Sequence, residues 1–123
     1  MRPLILTVAG MLALGALAAA PPAHAQLGAI AYDAKTGRYG MSWDQPTPKR
    51  AEADAISQCG ATGCRIVIRL RARQCGAFAS TENNKGVGAA ARPSLDQARL
   101  AALSICNKRK AGECVVRLSH CNK

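Results

Sequence analysis

The residues best placed to do chemistry in this chain are its six cysteines, a histidine near the C-terminus and a run of arginines. Cys59, Cys64 and Cys75 bracket the strand-like stretch Arg65 to Arg73, and Cys106, Cys114 and Cys121 bracket a fainter copy of it. Cys-x-x-Cys pairs at zinc spacing are absent, carboxylates are scattered singly and no calcium-loop pattern occurs, so neither a metal nor a cofactor is expected. Gly86-Val87-Gly88 lacks the strand-to-helix setting of a phosphate loop and reads as a hairpin turn.

His120 carries the one imidazole outside the N-terminal segment, and imidazole alone among side chains has an unperturbed pKa near neutral. Paired with Glu113 or Glu52 it would serve as general acid or base in a small basic hydrolase, with nuclease the natural type. No Ser-His-Asp or Cys-His arrangement recurs, so no catalytic residue is assigned and a non-enzymatic chain is expected.

The arginines carry a different chemistry. The net charge is +10. If residues 65–73 form one regular strand, Ile66, Ile68, Leu70 and Ala72 share a face, and Arg65, Arg69, Arg71 and Arg73 line the other with Val67. Like charges at alternate positions repel, so such a ladder is either solvated or meets an anion. Lys108-Arg109-Lys110 adds to it, and Lys49-Arg50 opposes the dipole of the helix it would begin. Arg65, Arg69, Arg71, Arg73, Lys108, Arg109 and Lys110 are therefore the candidate binding residues for a polyanion or an acidic protein. The competing reading is edge-strand charge that keeps an exported protein soluble. Stacking aromatics are few, which argues against sequence-specific nucleic acid.

The elements that must position these groups begin after the N-terminal segment. Met1-Arg2, the apolar run Leu4 to Ala20 and the closing Pro21-Pro22-Ala23-His24-Ala25 have the pattern of a signal peptide over residues 1–25. The run is broken by Gly10 and Gly15 and falls short of the about 20 apolar residues a membrane span needs. Residues 26–123 then form one exported domain, periplasmic or secreted, with no transmembrane span after cleavage. A chain so short and so rich in alanine buries little apolar area, and all the cysteines lie in this exported part. Disulfide staples are expected.

That part repeats itself, with one copy over about 28–75 and a second over 76–121. Gly28-Ala29-Ile30-Ala31 matches Gly76-Ala77-Phe78-Ala79; Ala51, Ala55 and Cys59 match Ala98, Ala102 and Cys106; Cys75 matches Cys121. Each copy predicts a hairpin (Ala29–Asp33 with Arg38–Trp43; Ala77–Thr81 with Val87–Ala91). A helix follows, N-capped by Thr47 or Ser94. A last strand then runs over Arg65–Arg73 or Val115–His120. Ala51, Ala55 and Ile56, and Ala98, Ala102 and Ile105, mark the buried helix faces. The fold class is α+β: a small disulfide-stapled domain of two pseudo-symmetric ββαβ repeats. The repeat favours Cys59–Cys64 and Cys106–Cys114 as local staples and Cys75–Cys121 as a bridge across the pseudo-twofold.

Gly28-Ala29-Ile30-Ala31-Tyr32, the Trp43 strand, the Ala-x-x-x-Ala helix ending in Cys59, and Cys75-Gly76-Ala77-Phe78-Ala79 resemble an exported bacterial family, domain of unknown function 4189 (DUF4189). The resemblance spans residues 26–123 and implies the fold and export, without supplying catalytic residues. Members tend to carry aromatics in the second hairpin, where this chain has Val87, Gly88 and Ala89 to Ala91. The functional expectation is a non-enzymatic binding domain with a basic face for an anionic or acidic partner. The alternatives are the His120 hydrolase and an inhibitor or immunity-type protein that plugs an acidic cleft, with Tyr39, Met41 and Trp43 as apolar anchor.

Overall fold

Alanine decides how this chain packs. In the computed structural model, which describes Gly15 and residues 25–123, two ββαβ units follow one another. The signal-peptide pattern lies outside the described residues. The first unit is β1 (Leu27–Tyr32), β2 (Tyr39–Gln45), α1 (Pro48–Cys59) and β3 (Arg65–Leu70). The second is β4 (Cys75–Ser80), β5 (Val87–Arg92), α2 (Leu95–Asn107) and β6 (Val115–Cys121). Each unit makes an antiparallel three-stranded sheet with its first strand in the middle, ordered β2-β1-β3 and β5-β4-β6. The expected α+β fold of two ββαβ units is the observed one.

Both helices start where the sequence places them. The Thr47 and Ser94 side chains accept from the N–H groups of Arg50 and Gln97, and Gly60 closes α1 at φ 72°. Each helix lies on its own sheet through a stripe of small residues, Ala51-Ala55-Cys59 or Ala98-Ala102-Cys106. These meet Ala29 and Ala31 in one unit, and Ala77, Ala79 and Ala90 in the other. The approach is so close that a Cβ on Gly40 would lie 2.7 Å from the Gln58 carbonyl carbon, and one on Gly88 would lie 2.6 Å from the Cys106 nitrogen. Helices seated this deeply push larger residues to their flanks. Ile56 and Ile105, expected inside, are 39% and 38% exposed.

The opposite faces of the two sheets meet each other. Ile30, Tyr32, Met41, Leu70 and Phe78 form this central layer, with Phe78 between Tyr32 and Tyr39 at 5.2 and 5.3 Å. The order of layers is helix, sheet, sheet, helix. Disulfides Cys59–Cys64 and Cys106–Cys114 tie each helix end to the strand that follows. The third pair, Cys75–Cys121, joins directly opposed residues of β4 and β6 inside one sheet, not across the pseudo-twofold. Cys75 is the first residue of the second unit, and Leu27 and Arg71 stand at the corresponding places in the first.

Strand β3 is not regular. Ile30 pairs with Ile68 but Ala31 pairs with Ile66, so Val67 is an extra residue, a β-bulge. Arg117 is its counterpart in β6, between the pairs Phe78–Leu118 and Ala79–Val116. A bulge inverts the alternation of side chains. Ile66 therefore packs on the helix side while Ile68 and Leu70 join the central layer. The strand also stops at Leu70, and Arg71 to Gln74 form a turn closed by the Gln74 N–H donating to the Arg71 carbonyl at 3.1 Å.

Candidate functional site

The bulge and the turn dismantle the expected arginine ladder. Arg69 falls on the helix side, where its Nε donates to Glu52 Oε1 at 2.6 Å, while Arg65 pairs with Tyr32 on the central-layer side. Arg71 and Arg73 belong to the β3–β4 turn, with Arg73 in the left-handed region at φ 62°. The Tyr32 hydroxyl donates to the Asn84 carbonyl at 3.2 Å, and Asn83 Nδ2 donates to the Ala111 carbonyl at 2.9 Å. Arg65 and the Lys108–Lys110 turn thus share the end that carries the hairpin loops. Arg71 and Arg73 occupy the other end. Six of the seven candidate cations thus make two groups, not one face, and the seventh, Arg69, is paired with Glu52 apart from both.

At the loop end, Asp33 is turned into its own hairpin. Its carboxylate accepts from Thr36 Oγ1 at 2.7 Å and from the Lys35 N–H at 3.1 Å. The Thr36 hydroxyl, then the Lys35 backbone, hold its carboxyl below the usual range. Burial, helped by the neighbouring Asp33 charge, pushes the Tyr32 phenol up.

The Arg71–Arg73 end is built around Asn122, which the sequence reading did not single out. Asn122 is buried, and its Oδ1 accepts from the Asp44 N–H at 2.9 Å while Nδ2 donates to the Arg71 carbonyl at 2.9 Å. Its own N–H donates to the Gln74 carbonyl at 2.9 Å, and the Lys123 N–H donates to Asp44 Oδ1 at 2.7 Å. One amide therefore joins β2, the arginine turn and the C-terminus, with Cys75–Cys121 beside it. Nothing in the composition marks an asparagine in the penultimate position as structural.

Beside this knot, Trp43 of β2 and His120 of β6 stack with ring centroids 4.1 Å apart. Trp43 is 38% exposed, so of the anchor residues Tyr39, Met41 and Trp43 only the last reaches the surface substantially. Strand pairing makes Leu70 the counterpart of His120, since Gly28 opposes the one and Gly76 the other. The stack therefore sits where the two units differ. Glu113 precedes the opposite end of β6, on the order of 20 Å from His120 at the rise of a strand, and Glu52 is held by Arg69. Neither carboxylate partner named from the sequence is assembled on the imidazole. Among the described residues no group of three or more His, Cys, Asp or Glu converges on a metal position, and no helix is long and apolar enough to cross a membrane.

These features define a class: a small, disulfide-stapled α+β module built from two similar ββαβ units. The chain belongs to the family described as Domain of unknown function (DUF4189), whose model matches residues 27–121. It is 40% identical over 79 residues to Protein Rv1269c of Mycobacterium tuberculosis, covering 63% of this chain and 58% of that protein. It is 41% identical over 73 residues to the uncharacterized protein Rv1813c of Mycobacterium tuberculosis, covering 58% of this chain and 49% of the relative. The matched region thus spans about half the length of these relatives. The NMR structure of Rv1813c superposes with a TM-score of 0.59 at 24% identity, over 99% of this chain and 97% of that one, which shows the shared fold.

Proposed function

We propose that the protein is an exported, non-enzymatic binding domain that meets an anionic partner through the end bearing Arg71, Arg73 and Lys123. The observation that carries this reading is the anchoring of the arginine turn. Asn122 and the Cys75–Cys121 bridge fix its backbone, while neither Arg71 nor Arg73 enters an ion pair among the described residues. A turn whose backbone is already anchored adds little ordering cost when its arginines meet a carboxylate or phosphate. The Trp43–His120 pair, its rings tilted 37° to each other, adds an aromatic surface at this end. Three disulfides call for an oxidising compartment, which agrees with export.

The test is retention of the oxidised protein on an immobilised polyanion, read as the salt concentration at elution. Replacing Arg71 and Arg73 with glutamine is expected to lower the eluting salt clearly more than replacing Arg65 and Arg109, which removes the same charge from the other end. Equal lowering by both pairs would reduce the basic character to net charge and defeat the reading.

An acidic protein is the partner that Trp43 favours, because a half-exposed tryptophan is a natural interface anchor. In that case Trp43→Ala weakens the complex while leaving retention on the polyanion unchanged.

A further inference from the structure

Pseudo-symmetry points to a second site on a different face. In β2 the residues facing the central layer are Tyr39, Met41 and Trp43. Their counterparts in β5 are Val87, Ala89 and Ala91, all of which line that layer from the other unit. Two rings and a thioether on one side are thus answered by two methyl groups and an isopropyl group on the other. The missing volume is not closed by neighbours. It persists as a cleft of about 170 Å³ between β3 and β5, floored by Phe78 and Tyr32 and walled by Val67, Val87, Ala89 and Ile105.

Its rim is apolar too. Val67, at the tip of the β3 bulge, is 43% exposed and Ile105 of α2 is 38% exposed. The matching bulge residue in β6 is Arg117, whose guanidinium donates to Ser80 Oγ at 3.1 Å and so ties itself to its own sheet. Val67 has no such engagement and simply overhangs the cleft.

A wider hollow of about 450 Å³ adjoins the cleft, with Tyr32 and Val67 lining both. Lys35 and Arg65 line that hollow, and neither is in an ion pair among the described residues. The one carboxylate there, Asp33, has its oxygens turned to the Thr36 hydroxyl and the Lys35 N–H. An apolar slot beside a hollow with two cations and one hydrogen-bonded carboxylate is complementary to a molecule with an alkyl tail and a negative head.

We infer that the β3–β5 cleft binds a free single-chain anionic amphiphile, the tail against Phe78, Val87 and Ala89 and the head at Arg65 and Lys35. This goes beyond the anionic partner proposed for the Arg71–Arg73 end and does not depend on it.

The experiment is a titration of the oxidised, isotope-labelled protein with straight-chain alkanoates of increasing length, followed by amide chemical shifts. Shift changes are expected at Val67, Val87, Ala89 and Ile105, with affinity rising roughly fourfold per methylene, equivalent to about 0.8 kcal/mol, until the cleft is full. Ala89→Met, which restores the side chain found at Met41, is expected to abolish binding by filling the slot. Replacing Lys35 and Arg65 with glutamine is expected to weaken alkanoates roughly tenfold while leaving a neutral alkyl glycoside unchanged. Arg71→Gln with Arg73→Gln should change none of these results, which separates this site from the other. Affinity independent of chain length, shifts confined to the Trp43 and Arg71 end, or equal affinity for the neutral glycoside would each overturn the inference. So would association with anionic vesicles in the absence of any binding to free alkanoates. The wild-type chain-length series decides the matter even if Ala89→Met fails to fold.

Discussion

Single side chains decide how the two ends of the molecule are held. Asn122 uses both its carbonyl oxygen and its amide to link backbone segments far apart in sequence, and it does so buried. Removing it orphans the Asp44 N–H and the Arg71 carbonyl. Asn122→Ala is therefore expected to cost about 1–3 kcal/mol, read from denaturant unfolding, and to loosen the arginine turn. Asp33 plays the corresponding part in the first hairpin. Its folded pKa lies below its unfolded one because Thr36 bonds the charged form, so its contribution to stability is present above the unfolded carboxylate pKa and lost as the pH falls through the folded value. Thr36→Val should raise the Asp33 midpoint in an NMR titration of its carboxyl carbon. The stability gap between the wild type and Thr36→Val should be widest near neutral pH and narrow on acidification. A gap that stays constant with pH would show that the hydroxyl acts through packing alone.

At the scale of the elements, the controlling feature is the close seating of each helix on its sheet. Alanine on the helix, alanine on the central strand and glycine on the hairpin's outer strand remove the side chains that would hold the layers apart. A Cβ at Gly88 would clash with backbone atoms of α2, which cannot rotate away as a side chain does. Gly88→Ala is accordingly expected to destabilise the protein by about 1–3 kcal/mol, the usual range for overpacking, measured by thermal unfolding. Gly86→Ala provides the contrast, because its nearest neighbour is a threonine methyl and not backbone. The helices and their caps were legible from the chain because a cap is a local hydrogen bond between residues three apart, Thr47 with Arg50 and Ser94 with Gln97. The exposure of Ile56 and Ile105 was not. Periodicity reports which side of a helix is apolar, and the depth of seating shifts the buried stripe toward the smallest residues on it.

Across the whole molecule, two thin layers of alanine contacts and one central layer of larger side chains leave stability dependent on the covalent links. Cys75–Cys121 spans a sequence separation of 46, against 5 for Cys59–Cys64. By loop-closure entropy, replacing the first pair with serine is expected to cost about 4 kcal/mol and the second about 2 kcal/mol. Urea unfolding of the two double variants checks the order. A reversed order would mean that helix stapling outweighs loop closure. The long bridge also lies next to Asn122 and His120, so its loss should weaken polyanion retention together with stability. Loss of the Cys59–Cys64 bridge, at the loop end, should affect stability alone.

Much of this architecture was settled by the order of residues in the chain. The caps, the hairpin turns and the two local cysteine pairs follow from short-range signals that need no partner to be read, and the repeat named the third pair, Cys75–Cys121, but not its place inside one sheet. The resemblance carried by Gly28–Tyr32 and Cys75–Ala79 likewise led to the family that the match over residues 27–121 shows. The candidate site was legible only in part. One extra residue, Val67, is set by the register between β3 and β1, and that register alone sends Arg65 and Arg69 to opposite faces. The stacking of Trp43 on His120, the Asn122 knot and the cleft over Ala89 arise from strands of different units meeting across the central layer. Such contacts join residues of high sequence separation. Their geometry depends on how two sheets face each other, a quantity that no local pattern of side chains encodes.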